Sequence, residues 1–182
     1  MISIAFLHGK NIFLRPFLAK DINENYLSWL NDTETSKFSR RRLFPTNDLQ
    51  CKKYLSELKT TESVLAICTC EGKHIGNIKF GPINFIHRSA DISIVIGDKN
   101  EWGKGYASEA IYLITKHLFN TIGLNRVEAG TVNPAFARVA EKLGWKKEGV
   151  FRKGYFLNNT FVDVIRVSLL KEEFVIDKKY EE

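Results

Sequence analysis

The residues best spaced for chemistry lie between Ile94 and Ala107. An apolar strand, Ile94-Val95-Ile96, runs into Gly97-Asp98-Lys99-Asn100-Glu101-Trp102-Gly103-Lys104-Gly105, and a helix begins at Tyr106-Ala107. Free backbone N–H groups at a helix start, reinforced by the macrodipole, form an anion site. Glycines let a phosphate approach the backbone with no side chain between. The stretch therefore reads as a phosphate cradle. A P-loop needs Gly-x4-Gly-Lys-Ser/Thr, whereas Lys104 is followed by Gly105; the dinucleotide fingerprint needs three glycines at fixed spacing, and this turn lacks the third. Neither ATP nor NAD follows from it.

Two other clusters bear on chemistry. Arg40-Arg41-Arg42, with Lys37 nearby, is the densest basic run; it is either a solvated loop or an electrostatic dock for an acidic acceptor or a nucleotide phosphate. Cys51, Cys68 and Cys70 are odd in number and lack the paired spacing of a zinc site, so no metal is expected.

The elements that must position these groups follow from hydrophobic period and caps. Phe13 to Phe17 reads as a first strand. Asp21 offers an N-cap to a helix with Ile22, Tyr26, Trp29 and Leu30 at helical spacing, ending near Asn31-Asp32. Pro45-Thr46 opens a second helix with the stripe Cys51, Tyr54, Leu55 and Leu58. Val64 to Cys70, Ile75 to Phe80 and Ala90 to Ile96 form a strand meander. The helix after Gly105 carries Ala107, Ala110, Ile111, Ile114, Leu118 and Ile122, with Gly123 as its stop. A short strand, Val127 to Thr131, precedes a helix capped by Asn133 with Pro134 first and Gly144 last. Trp145 to Tyr155 and Phe161 to Leu170 read as a terminal hairpin joined through Asn158-Asn159.

At 182 residues, 44% hydrophobic and 26% charged, the chain has the composition of one globular domain spanning residues 1–182, which excludes disordered and disulfide-scaffold classes. No apolar run approaches the ~20 residues of a bilayer span, and MISIAFLHGK has no basic region of a signal peptide. A cytosolic protein without a membrane partner is expected. The net charge of +6 suits anionic partners, but without a zinc-finger, helix-turn-helix or aromatic RNA-binding signature nucleic acid ranks last among them.

Trp102-Gly-Lys-Gly105-Tyr-Ala107-Ser-Glu-Ala110 resembles the acyl-CoA turn of the GNAT superfamily of N-acyltransferases, Gln/Arg-x-x-Gly-x-Gly/Ala, from its second residue on. Trp102 stands in place of the usual Gln or Arg, as in the RimJ/RimL-like branch. Asn133 to Gly149 is similar to the family's Asn-containing helix and following strand, and Tyr26 to Asp32 to the N-terminal helix of that branch, so the resemblance spans about residues 11–173.

The resemblance implies an α+β GNAT fold: a central, mostly antiparallel sheet of about six to seven strands flanked by about four helices. It implies acetyl-CoA as acyl donor, held by backbone groups of Val95 and Ile96, the turn Trp102, Gly103, Lys104, Gly105, Tyr106 and Ala107, and Asn133 and Arg138. The acceptor would be a primary amine: an amino-sugar nucleotide, a protein N-terminus, or a small amine or antibiotic. Trp29, Asn31, Arg40, Arg41 and Tyr155 would border it, and a homodimer is compatible with the family. Asp91, at an acidic position of the branch, becomes the first candidate base, with His87 its weaker rival. Many relatives carry a serine or tyrosine on the Asn133 helix to protonate the leaving thiolate; this chain has Phe136 and Ala140 there. Tyr106, Tyr155 or water is left to serve, and a non-catalytic acyl-CoA-binding regulatory module is the alternative.

Overall fold

The computed structural model describes residues 4–181 and, among these, every side chain except that of Arg41. The order is β1 (Leu7–His8), β2 (Ile12–Pro16), α1 (Glu24–Asn31), α2 (Asp48–Ser56), β3 (Ser63–Thr69), β4 (His74–Phe80), β5 (Ser89–Ile96), α3 (Tyr106–Asn120), β6 (Arg126–Thr131), α4 (Pro134–Lys142), β7 (Lys146–Leu157) and β8 (Thr160–Leu170). One eight-stranded sheet runs β1-β2-β3-β4-β5-β6-β8-β7. Every neighbouring pair is antiparallel except β5 and β6, which run parallel. The expected α+β architecture is present. The strand count exceeds six to seven because Leu7 and His8 fold back to pair with Leu14 and Phe13.

Strand alternation divides the sheet into two packed faces. On one, Ile12, Leu14, Ile78, Ala90, Ile92, Val127, Ala129, Val167 and Leu169 meet Ala110, Ile111, Ile114 and Leu118 of α3. On the other, Tyr26, Trp29 and Leu30 of α1 and Cys51 of α2 cover Ala66 and Cys68. Each fully buried leucine or isoleucine contributes about 2 kcal/mol by transfer from water.

Local caps set most helix ends. Asn133 and Pro134 open α4 as expected. α1 instead starts from Asn23, whose side-chain oxygen accepts from Tyr26 N–H at 3.0 Å. Asp21, expected to cap it, turns inward and takes Arg15 in a buried bidentate pair at 2.6 and 2.8 Å. A charge-assisted fork out of water is a stronger use of a carboxylate than an exposed cap. α2 starts later than Pro45-Thr46, from a capping box of Asn47 and Gln50, and ends before Leu58.

The sheet opens at its centre. β5 and β6 pair only at Ser89 with Arg126, Ala90 with Val127 and Asp91 with Glu128. Beyond these the strands carry no ladder pair and form a fork, from whose two arms the chain passes into α3 and α4.

Candidate active site

One arm of the fork leads into the glycine turn. Gly97 and Asp98 N–H groups both donate to Ile75 C=O, at 2.8 and 3.1 Å, closing β5 against β4. A Cβ on Gly97 would fall 2.1 Å from the Trp29 indole, so only glycine admits this contact. Gly103 and Gly105 have φ of +78° and +89°, and a Cβ built on either meets nothing within 4 Å. The outward side of the turn is open. The first bond of α3 is Glu109 N–H to Gly105 C=O at 3.1 Å, which leaves the N–H groups of Tyr106, Ala107 and Ser108 without an acceptor among the described residues. Those three amides, at the positive end of a fifteen-residue helix, fit a diphosphate.

Beneath the turn, the buried Glu109 carboxylate accepts from Asn11 N–H, Asn11 Nδ2 and Ile12 N–H at 2.8, 2.9 and 3.3 Å, fixing the first turn of α3 to β2. Lys104 is held by Glu101 at 2.8 Å, and Glu101 also takes Lys73 at 2.9 Å. Lys104 thus meets an anion from a pre-formed ion pair. Trp102, 40% exposed, donates its indole N–H to Ile96 C=O at 2.8 Å.

The phase of the β4–β5 ladder decides which backbone groups face the fork. Gly97 N–H to Ile75 C=O at one end and Gly81 N–H to Asp91 C=O at the other show that odd-numbered residues of β5 exchange bonds with β4. Val95, opposite Asn77, is therefore committed to β4. Ile94 and Ile96 turn their N–H and C=O groups to the open side. On this ground Ile94, and not the expected Val95, joins Ile96 in offering backbone groups to the fork.

On the other arm, Asn133 spends its side-chain oxygen on Ala135 N–H at 2.9 Å and donates its own N–H to Thr131 Oγ1 at 2.9 Å. Its Nδ2 is uncommitted among the described residues. Arg138 is exposed on α4. Phe136 and Ala140 pack into the main core, so α4 presents packing at the two positions where relatives carry a hydroxyl.

Asp91 occupies the last paired position before the strands part. Its neighbours Ala90 and Ile92 point into the α3 core, so Asp91 projects from the opposite face. Burial pushes its carboxyl up to about 6; Arg166 opposes this, Glu128 adds to it and Lys79 opposes it. A carboxylate poised there can take a proton from an incoming amine. Glu128 is itself bridged to Arg126 at 3.0 Å and to Arg166 at 3.5 Å. The alternation Arg126-Val127-Glu128-Ala129 announces this polar face, yet Glu128 and Arg166 were not among the sequence candidates. His87 is exposed in a turn where Asn84 Oδ1 accepts its N–H at 2.9 Å, before the start of β5.

The expected acceptor residues separate into two groups. Trp29 is only 7% exposed and packs on His74, Tyr26 and Gly97, which makes it a support for the turn and corrects its assignment to the cleft lining. Asn31, exposed at the end of α1, exchanges two bonds of 2.8 Å with Thr46, stapling α1 to the loop before α2. Arg40 is exposed in the 3₁₀ turn Arg40–Leu43. The Arg41 side chain lies outside the described residues. Arg42, the third member of the basic run, reaches the hairpin: it bonds Phe156 C=O and stands 5.6 Å from the Tyr155 ring centroid. Arg42 Nε and Tyr155 Oη are both buried with no hydrogen-bond partner among the described residues. Tyr106 packs its ring against the main core at the head of α3.

Among the described residues no group of three or more His, Cys, Asp or Glu could hold a metal ion, and no helix is long and apolar enough to cross a membrane.

Comparison with known proteins gives this geometry its context. The model of the Acetyltransferase (GNAT) domain matches residues 11–146. A Bacillus subtilis chain named Probable N-acetyltransferase YjcK is 33% identical over 168 residues, covering 86% of this chain and 92% of that one. Spermidine N(1)-acetyltransferase of Vibrio cholerae is 29% identical over 103 residues, 56% of this chain and 59% of the relative. A crystal structure of spermidine N-acetyltransferase from Vibrio cholerae in complex with CoA and spermine superposes with a TM-score of 0.81 at 21% identity, covering 90% and 97% of the two chains. At that identity the likeness is one of fold. The relatives carry the names of N-acetyltransferases and do not favour the non-catalytic alternative. The chain belongs to the GNAT acetyltransferase family and is an N-acetyltransferase that uses acetyl-CoA as its acyl donor.

Proposed function

We propose that this enzyme, of the RimJ/RimL-like branch and folded as one domain, acetylates a primary amine by direct attack in a ternary complex. The observation that carries the reading is the pairing of an open-faced glycine turn with a sheet fork whose last paired residue is Asp91. Acetyl-CoA supplies an activated acetyl group as a thioester. The amides of Tyr106, Ala107 and Ser108 receive its diphosphate over Gly103 and Gly105, with Lys104 and Arg138 as cations at the phosphates. Ile94 and Ile96 line the fork, and Asn133 Nδ2 donates near its mouth. Asp91 accepts the proton that the amine sheds. At pH 7 an α-amine is roughly 10–15% neutral and a lysine amine less than about 0.1%, so a low-pKa amine asks least of this base. Tyr155 is the available hydroxyl for the departing thiolate, with water as the substitute.

The acceptor we favour carries anionic groups beside its amine, as an amino-sugar nucleotide does. Arg40 and Arg42 supply cations, and Arg42 Nε and Tyr155 Oη, without a partner among the described residues, suit an oxygen-rich ligand. A polyamine is the second reading, favoured by the relatives named for spermidine. Release of free thiol from acetyl-CoA against a panel of amino-sugar nucleotides, peptides with free N-termini, spermidine and amino-glycosides decides between them. Highest kcat/KM for a sugar nucleotide, with its KM raised about 10-fold by Arg42→Ala, is expected. Preferential turnover of spermidine would install the second reading, and no thiol release with any amine would overturn both.

A further inference from the structure

The segment after β8 returns across α3 and is fastened there side chain by side chain. The Phe174 ring centroid lies 5.4 Å from that of Tyr112 and 5.6 Å from that of Phe119. Tyr112 Oη donates to Glu181 at 2.6 Å and accepts from Asp177 N–H at 3.1 Å, and Lys116 pairs with Glu181. Tyr180 packs against Tyr112 with centroids 4.9 Å apart, and Lys179 Nζ stands 4.6 Å from its ring. The result places the Tyr180 hydroxyl 2.6 Å from Ser108 Oγ.

Ser108 is the third residue of α3, inside the turn whose amides lack acceptors. Helical side chains lean toward the N-terminus, so Ser108 Oγ covers the first turn and not the one after it. Residues 174–181 lie beyond the 11–146 matched by the family model. Nothing in that match gives them a part in the site.

We propose that Tyr180 is a positioning residue for the acetyl-CoA diphosphate, donating its phenolic proton to Ser108 Oγ so that the serine hydroxyl is left to donate into the cradle. This rests on the proposed diphosphate site. Two orientations of the hydroxyl pair exist, and an anion selects between them. If Ser108 donates to Tyr180, serine lone pairs face the anion and repel it. If Tyr180 donates, the serine proton is free to turn toward a phosphate oxygen, and the phenol, the stronger donor of the two, polarises it further. The fastening of Tyr112, Glu181 and Lys116 holds Tyr180 in place for this, so the hydroxyl is ordered before the ligand arrives.

Calorimetric titration of acetyl-CoA into wild type, Tyr180→Phe, Ser108→Ala and the double variant tests the proposal, with steady-state KM for donor and acceptor in parallel. Each single substitution should weaken acetyl-CoA binding about 3- to 10-fold, the double variant should lose no more than the weaker single, and acceptor KM should stay put. Wild-type affinity in Tyr180→Phe, or two losses that multiply, would overturn the role of Tyr180. So would a loss matched by a fall in Tm and an equal rise in acceptor KM, which marks a packing role. Wild type that binds no acetyl-CoA would instead overturn the diphosphate site itself.

Discussion

At the scale of single residues, the proposed chemistry turns on Asp91. Its carboxyl is pushed up to about 6 chiefly by burial, so it ionises just below neutral pH, where a base must be free to take a proton. kcat/KM should therefore fall as pH drops through about 6. Asp91→Asn should lower kcat about 10²- to 10³-fold, leave donor KM near wild type and erase that limb; an acidic limb that survives would remove Asp91 from the mechanism. Linkage gives a second sign. A carboxyl raised on folding contributes stability that is fully present below about 3.9 and is lost as pH rises through about 6. Asp91→Asn should thus melt higher than wild type at pH 8, read by a pH series of thermal unfolding. Gly103 and Gly105 were legible as candidates from the spacing of the turn, and Asp91 from the family resemblance. The part of Ile94 was not, and Val95 was named in its place, since the phase of a ladder depends on hydrogen bonds at Gly81 and Gly97 that no local pattern encodes. Trp29 was misread because burial is a property of the folded chain, and for the same reason the tie of Asn31 to Thr46, fifteen residues away, was not foreseen.

At the scale of elements, the N-terminal arm must be held still for the turn to keep its shape. Arg15 and Asp21 do this from inside, as a bidentate pair with side chains only 8% exposed. Burial pushes the Asp21 carboxyl up, but its bonds to Arg15 and to Leu18 N–H outweigh it and hold the group below the usual range. Its stabilising contribution is present above the unfolded carboxyl range and lost as pH falls through the lowered folded value. Asp21→Ala strands the guanidinium and should cost about 3–5 kcal/mol in denaturant unfolding at pH 7, while the acetyl-CoA KM of the folded fraction stays near wild type; a cost under about 1 kcal/mol would show the pair to be solvated. Nearby, Lys99 joins Asp32 at 2.9 Å and Glu34 at 2.8 Å, tying the end of α1 to the glycine turn. α3 and α4 were legible end to end, since period, Pro134, Asn133 and the terminal glycines all lie within one segment. The Asp21 cap failed because a partner six residues earlier, across a strand end, competed for the carboxylate.

At the scale of the molecule, one parallel pair in an otherwise antiparallel sheet makes the candidate site. β5 and β6 separate after three residue pairs, and each arm delivers a helix N-terminus, α3 with its glycines and α4 with Asn133. Polar groups Asp91, Glu128, Lys79 and Arg166 gather on the far face of the same opening. Donor and acceptor can thus approach from opposite sides and meet where the ladder ends. Sequence patterning carried the order of elements but not this parting, because strand length and period say nothing of where two strands stop pairing. The most direct measurement is the structure of the crystalline enzyme grown with CoA. Diphosphate oxygens are expected about 3 Å from the amide nitrogens of Tyr106, Ala107 or Ser108, with the pantetheine arm between β5 and β6; a diphosphate seated elsewhere, with those amides unengaged, would overturn the assignment.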